Sequence, residues 1–260
     1  MSDPLVETRD DRGVVTLTMS RPDKRNAMDP ALMGALEDAA ARLAEDAAAR
    51  VVVLAAEGKA FSAGADLGWM REQLDADRET RVREAMRLAR MFRALDALPK
   101  PLIGRVHGDA FGGGLGLVSV CDVAVGAEGA RFGFTETRLG LIPGTISPYV
   151  IARIGAGPAR RVFMSARLFD AREALRLDLL GSVVAGDDLD AAVEAEVAPY
   201  LSASPEAVAA AKALARSLGP PLDDAAIARS VEHLADAWET PDAREGVSAF
   251  LDKRKPRWLV

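Results

Sequence analysis

Hydrophobic and polar positions alternate along two short stretches near the start of the chain, Leu5 to Arg9 and Val14 to Met19. That period predicts a pair of strands, and Asp10-Asp11-Arg12-Gly13 between them predicts a hairpin. After a polar turn, Ser20 to Asn26, Asp29 and Pro30 open an alanine-rich helix that runs to about Ala48. An acid at the cap and proline at the first helical position suit that start. Val51 to Ala56 is apolar at every position, as in a strand buried on both faces, and Gly58 to Asp66 reads as a loop of small residues. Val82, Met86, Met91, Leu95 and Leu98 then recur at roughly helical spacing, predicting a helix over 78–98 that Pro99 and Pro101 end.

A second strand–loop–helix unit follows. Leu102 to Val106 is the strand, His107 to Phe111 a turn, and Gly112-Gly-Gly114 opens a helix to about Cys121. Asp122 to Gly126 and Arg131 to Phe134 read as further short strands. From Pro148 onward the pattern is almost wholly helical, with breaks at Gly155, Gly181, Pro205 and Gly219-Pro-Pro221. Strands early and helices late predict an α/β core with a helical C-terminal extension. The boundary is expected near residue 200, with a core over 1–200 and a helical region over 201–260.

Composition narrows the chemistry. The chain has 260 residues, of which 49% are hydrophobic and 28% charged, enough for a sizeable core. A net charge of −6 and few aromatics argue against nucleic acid as the principal ligand. With one cysteine, Cys121, and two histidines, His107 and His233, neither a disulfide framework nor a nitrogen–sulfur zinc site is expected. No leader and no bilayer-spanning run is expected, which suits a cytoplasmic protein. Chemistry here must rest on carboxylates, backbone groups or a cofactor.

Familiar nucleotide signatures are absent. Gly155-Ala-Gly157 lacks the third glycine of a dinucleotide loop, and Gly58-Lys59 lacks the rest of a P-loop. Two similar loops remain, each after a buried strand: Ser62-Ala-Gly-Ala-Asp66 and Phe111-Gly-Gly-Gly-Leu115. Small residues leave amide N–H groups unshielded, and the second loop also opens a helix, where orphan amides favour negative charge. Two such amides would make an oxyanion hole; the same spacing also suits plain tight turns. Glu136 lies among small and apolar neighbours that could bury it and raise its pKa, or it is an exposed glutamate at a helix start.

Five segments in order change the balance. They are Arg21-Pro-Asp-Lys-Arg-Asn-Ala27, Gly58 to Leu67, His107-Gly-Asp-Ala-Phe-Gly-Gly-Gly114, Leu139-Gly-Leu-Ile-Pro-Gly144, and the tail from Glu245 to Pro256. Together they resemble the enoyl-CoA hydratase/isomerase, or crotonase, superfamily over essentially the whole chain. The resemblance implies a crotonase-like ββα superhelix with a C-terminal trimerisation region, a homotrimer or homohexamer, and an acyl-CoA thioester as substrate without further cofactor or metal. It implies the amides of Ala65 and Gly113 as the oxyanion hole and Glu136 as the acid/base. Ala63, Asp66, Leu67, Trp69, Gly112 and Gly116 are expected around the substrate, with Met70 beside the acyl chain; Tyr149 suits that place or core packing equally. Lys24 and Arg25 are cations expected to meet the polyanionic CoA, and the resemblance implies that the tail's Lys253, Arg254 and Lys255 reach the CoA of a neighbouring subunit. His107 is expected to be structural.

The sequence departs from the hydratase pattern at one point. Many hydratases of this family carry two glutamates that hold one water, and Gly116 stands where the first would be. A single glutamate suits a hydratase in which Glu136 orients the water, a double-bond isomerase, or an acyl-CoA-binding member that adds no water. The run Leu141 to Val150 looks like that of bacterial methylglutaconyl-CoA hydratases, so a branched substrate such as 3-methylglutaconyl-CoA is expected. Its second carboxylate calls for a cation, with Arg138, Arg71 and Arg153 as candidates.

Overall fold

The computed structural model describes residues 3–259; Met1 and Ser2, which open the stretch read for a leader, and Val260 lie outside them. Strands β1 (Leu5–Arg9) and β2 (Val14–Met19) form the expected antiparallel hairpin, with Leu5 opposite Met19. Helix α1 (Pro30–Glu45) follows, its N-terminus capped by Asp29, which accepts from the Leu32 amide at 2.9 Å. It stops three residues short of Ala48, because Asp46 leaves helical geometry and accepts from the Ala48 amide at 2.8 Å.

The chain then repeats a long strand followed by a short one. Strand β3 (Val51–Ala56) leads to β4 (Ala60–Ser62), and Asp66 caps helix α2 (Leu67–Asp75) before helix α3 (Arg78–Ala97). Strand β5 (Leu102–Val106) leads to β6 (Asp109–Phe111) and helix α4 (Gly113–Val120). Strand β7 (Val123–Ala127) leads to β8 (Arg131–Gly133) and a turn of 3-10 helix, Glu136–Leu139. Strands β4 and β6 fall where a loop and a turn were expected. Three residues are too few to show an alternation, so only their pairing makes them strands.

Helices α5 (Ser147–Ile154) and α6 (Ala156–Ser165) open the C-terminal part. Two strands interrupt what reads as helix: β9 (Phe169–Asp170), before α7 (Ala171–Arg176), and β10 (Ser182–Val184). Helices α8 (Leu189–Leu201), α9 (Pro205–Leu218), α10 (Asp224–Trp238) and α11 (Pro241–Leu251) complete the chain. The five long strands and the short β10 build a six-stranded sheet in the order β1-β2-β3-β5-β7-β10, and the other short strands a four-stranded sheet, β4-β6-β8-β9. This stacked ββα arrangement is the crotonase-like architecture expected from the sequence.

The all-apolar run of β3 has a direct physical reason. Val52 and Leu54 face the main core with Leu17, Phe61, Phe92 and Leu102, while Val51 and Val53 face α8 through Leu189, Val193 and Val197. A strand covered on both faces has no solvent side, so no alternation survives. Among the described residues, no helix is long and apolar enough to cross a membrane.

The turn between β2 and α1 is the part of the fold that reaches the site. Asn26 is fully buried in left-handed geometry, with φ of 52°. Its amide nitrogen donates to the carbonyls of Glu57 and Ala60 at 2.8 and 2.9 Å, and its oxygen accepts from the Arg21 amide at 2.9 Å. One side chain thus ties the turn to both ends of the β3–β4 connection. Asn26→Ala strands two carbonyls and an amide, so a loss of about 3 kcal/mol is expected. Urea unfolding with an unchanged m-value would measure it; a loss under about 0.5 kcal/mol would show that the turn stands without this side chain.

Candidate active site

The first small-residue loop is laid against the segment that follows Asn26. The Ala63 amide donates to the Arg25 carbonyl at 2.9 Å, the Met28 amide to the Gly64 carbonyl at 2.7 Å, and the Asp66 amide to the Met28 carbonyl at 3.0 Å. Ser62 Oγ accepts from the Gly64 amide at 3.3 Å and donates to the Asn26 carbonyl at 2.9 Å. Met28 therefore bridges to the residues on either side of Ala65, as in a parallel pair. In that pattern Ala65 turns its own N–H to the opposite side, and it has no acceptor among the described residues.

The second loop abuts the first. A Cβ on Gly64, which has φ of +90°, would lie 2.8 Å from the Phe111 carbonyl oxygen and 3.5 Å from the Gly113 nitrogen. A Cβ on Gly114 would lie 2.6 Å from the Ser62 carbonyl oxygen. Only glycine permits this approach. The Gly112 amide donates to the Gly133 carbonyl at 3.0 Å, whereas the Gly113 amide, first in α4, has no acceptor among the described residues. Two unspent donors thus stand on touching loops, one of them at a helix N-terminus. An oxyanion hole requires this arrangement.

Glu136 comes from the 3-10 turn after β8 and leans over the second loop. Its Oε1 would be 2.9 Å from a Cβ on Gly112, a position whose φ of +49° also favours glycine. Its Oε2 is buried without a hydrogen-bond partner. Burial pushes the carboxyl up to about 7, against an ordinary value of 4.5. At neutral pH it both holds and releases a proton, as an acid/base group should.

These groups line one cavity of about 570 Å³. Ala63, Ala65, Asp66, Leu67, Trp69, Met70, Gly112, Gly113, Glu136, Lys24 and Arg25 all border it. Lys24 and Arg25 are exposed at its rim. Buried Met33, Met70, Trp69, Leu88, Leu141, Ile146 and Trp238 give it an apolar interior. Asp66 has a structural task as well: it caps α2 through the Gly68 amide at 2.8 Å and pairs with Arg21 at 3.2 Å.

Several expected residues lie elsewhere. Gly116 is buried and does not border the cavity; a Cβ there would meet Ile146 Cγ2 at 2.5 Å and the Phe92 ring at 2.7 Å. Tyr149 packs on Phe92 in the core, ring centroids 5.8 Å apart, and leaves the acyl site alone. Arg138 is exposed outside the cavity, and Arg71 borders a separate hollow of about 210 Å³. Arg153 is held by the carbonyls of Cys121 and Asp178. None of the three arginines expected to receive a substrate carboxylate reaches the cavity. The tail cations Lys253, Arg254 and Lys255 are exposed and also outside it, with Arg254 paired to Glu245 at 2.8 Å. His107 contacts the Gly58 carbonyl at 3.0 Å and does not border the cavity. Cys121 is buried, its thiol pushed up to about 12, so it offers no nucleophile.

Linear reading missed Leu234, Trp238 and Phe250, which the C-terminal helices α10 and α11 bring to the same cavity. The region over 201–260 is therefore part of the site's wall. Its amphipathic helices announce that some face is covered, without saying by what. Thr145, a buried hydroxyl residue on the lining, was also passed over.

The family described as enoyl-CoA hydratase/isomerase matches residues 9–259. The chain is 34% identical over 254 residues to a 2,3-dehydroadipyl-CoA hydratase of Escherichia coli, covering 97% of each chain. It is 32% identical over 250 residues to a crotonyl-CoA hydratase of Syntrophomonas wolfei, covering 95% of this chain and 94% of that one. A crystal structure of an enoyl-CoA hydratase from Shewanella pealeana shares 39% identity with a TM-score of 0.80, covering 98% of this chain and 96% of the other. The chain belongs to the enoyl-CoA hydratase/isomerase family and is an acyl-CoA enzyme of it.

The raised pKa has a consequence for stability. Between pH 4.5 and about 7 the folded chain retains a proton on Glu136 that the unfolded chain has released. Stability therefore falls as pH rises through that window, since the ionised form is the one burial disfavours. Relative to Glu136→Gln, which cannot ionise, the wild type should lose about 2–3 kcal/mol between pH 4.5 and pH 8. Urea denaturation of both proteins at the two pH values measures the difference. Parallel pH profiles would mean that Glu136 is not held in an apolar setting.

Proposed function

We propose that this chain adds water across the α,β double bond of an enoyl-CoA thioester, or removes it in reverse. The observation that carries the reading is the meeting of two unspent amides, on Ala65 and Gly113, with the unpartnered carboxyl of Glu136 in one cavity. A thioester oxygen seated between the amides gains stabilisation as it becomes enolate-like, where preorganised donors matter most. Glu136 supplies the proton movement. The exposed Lys24 and Arg25 at the rim suit the phosphates of CoA, and the apolar interior suits the acyl chain.

The acyl chain that fits best carries no charge. Among the described residues, Lys24 and Arg25 are the only cations on the lining, and both stand at the exposed rim. A second carboxylate carried into the apolar interior would lose its hydration for no partner, at a cost of several kcal/mol. The relatives named for crotonyl-CoA and 2,3-dehydroadipyl-CoA show that family membership leaves this choice open. A branched, uncharged chain keeps the bulk implied by the run Leu141 to Val150 without the buried charge. The competing reading is 3-methylglutaconyl-CoA, favoured by that same run and requiring the carboxylate to turn back toward Lys24 or Arg25. A double-bond isomerase is the other competitor, favoured by Gly116, since moving a proton between carbons needs only Glu136.

One panel separates these readings. Crotonyl-CoA, an uncharged branched enoyl-CoA, 3-methylglutaconyl-CoA and a 3-enoyl-CoA are followed for water addition and double-bond migration separately. We expect hydration of the uncharged substrates, with kcat/KM about 100-fold above that for 3-methylglutaconyl-CoA, the ratio for a few kcal/mol of uncompensated charge. Preference for 3-methylglutaconyl-CoA would overturn the uncharged assignment; migration without hydration would overturn the hydratase. Glu136→Gln should lower turnover by at least about 1,000-fold while leaving the Kd for butyryl-CoA nearly unchanged. Full activity in that variant would remove Glu136 from the chemistry.

A further inference from the structure

Adding water needs more than a proton carrier, because the water itself must be aimed at the β-carbon. Glu136 can hold one of its hydrogens, and a second partner is needed to fix its direction. Position 116 supplies none. Ile146 and Phe92 occupy the space into which a side chain there would project, and Ile146 itself borders the cavity. The residue just before it, Thr145, is 4% exposed and borders the cavity too. Its hydroxyl makes no hydrogen bond with a described residue, and it is not among the sealed, unpartnered buried atoms. A hydroxyl in that condition keeps some exposed surface, and the cavity is the open space that Thr145 borders. The other polar side chains on the lining are committed or peripheral: Asp66 holds Arg21 and the start of α2, Asp23, Lys24 and Arg25 are exposed at the rim, and Thr135 is only half-buried.

We propose that Thr145 is the water-positioning residue of this site, accepting a hydrogen bond from the attacking water beside Glu136. The assignment rests on the hydratase reading above. As the water oxygen bonds to the β-carbon, the double-bond electrons move through the α-carbon onto the thioester oxygen, held by the Ala65 and Gly113 amides. The water gives one proton to one oxygen of the neutral Glu136 carboxyl. The other oxygen passes its proton to the α-carbon as the enolate collapses. Glu136 ends in its starting state, the remaining water hydrogen stays as the product hydroxyl, and Thr145 neither gains nor loses a proton.

Thr145→Val keeps the shape and removes the hydroxyl. With crotonyl-CoA, hydration kcat should fall about 10- to 100-fold in this variant, the penalty for a misdirected reactant, while KM and the Kd for butyryl-CoA change less than about 2-fold. Thr145→Ser, which restores a hydroxyl, should recover most of the loss. Thr135→Val is measured alongside. Hydration unaffected by Thr145→Val overturns the assignment, as does a loss confined to Thr135→Val. A loss that Thr145→Ser does not rescue, or one shared equally by kcat and butyryl-CoA affinity, marks a packing role and overturns it too. Wild type that adds no water to any enoyl-CoA is the separate outcome that defeats the hydratase reading itself, and Thr145 with it.

Discussion

The site depends on two backbones touching without side chains between them. The loop after β4 and the start of α4 come so close that a methyl group on Gly64 or Gly114 would strike a carbonyl of the opposite loop. That contact gives the Ala65 and Gly113 amides a common neighbourhood, and it draws on most of the surrounding structure. Met28 takes up the hydrogen-bonding capacity on either side of Ala65, so only the Ala65 N–H is left to face outward. Asn26 fixes the turn that carries Met28, and Arg21 joins that turn to Asp66 and Asp29. The basic-looking motif over 21–27 therefore serves two ends. Its buried members hold the loop, and its exposed members, Lys24 and Arg25, meet the solvent at the cavity rim.

Glu136 is the counterpart of that seam. In the proposed reaction, donors for a developing negative charge work best beside a proton carrier that brings no permanent negative charge of its own. Burial settles this conflict by pushing the carboxyl up to about 7, so that the neutral form is well populated beside the unpaired amides. The stability lost on ionising Glu136 is the cost of that choice. It accords with the general pattern that strained or poorly solvated groups gather where chemistry is done.

The long strands were legible because burial on both faces writes itself as a continuous apolar run, as in Val51 to Ala56. The short strands β4, β6, β9 and β10 were not, since two or three residues carry no period and are defined by partners distant in sequence. In the site, the small-residue loops and Glu136 were visible as composition next to buried strands. The direction of the amides was not, because it follows from Met28 pairing across the loop. Trp238 and Leu234 were invisible for a similar reason: α10 shows an apolar face, but only packing on α3 turns its end toward the cavity.

Gly116 is where sequence and structure inform each other most. On the sequence alone it is a deletion, a missing carboxylate in a site that ordinarily has two. In three dimensions its place is closed by two apolar side chains. Phe92 and Ile146 fill the volume, and the absence of a side chain at 116 is what lets them approach. Of the two, Ile146 borders the cavity and gives its wall an apolar side chain there, which raises the value of each polar group beside it. A second ionised carboxylate in such a setting would repel Glu136 and would give up its hydration for no partner. A neutral hydroxyl one residue from Ile146 can direct a water without either effect. The departure at 116 is then consistent with hydration by one titrating group, provided that the other partner of the water carries no charge.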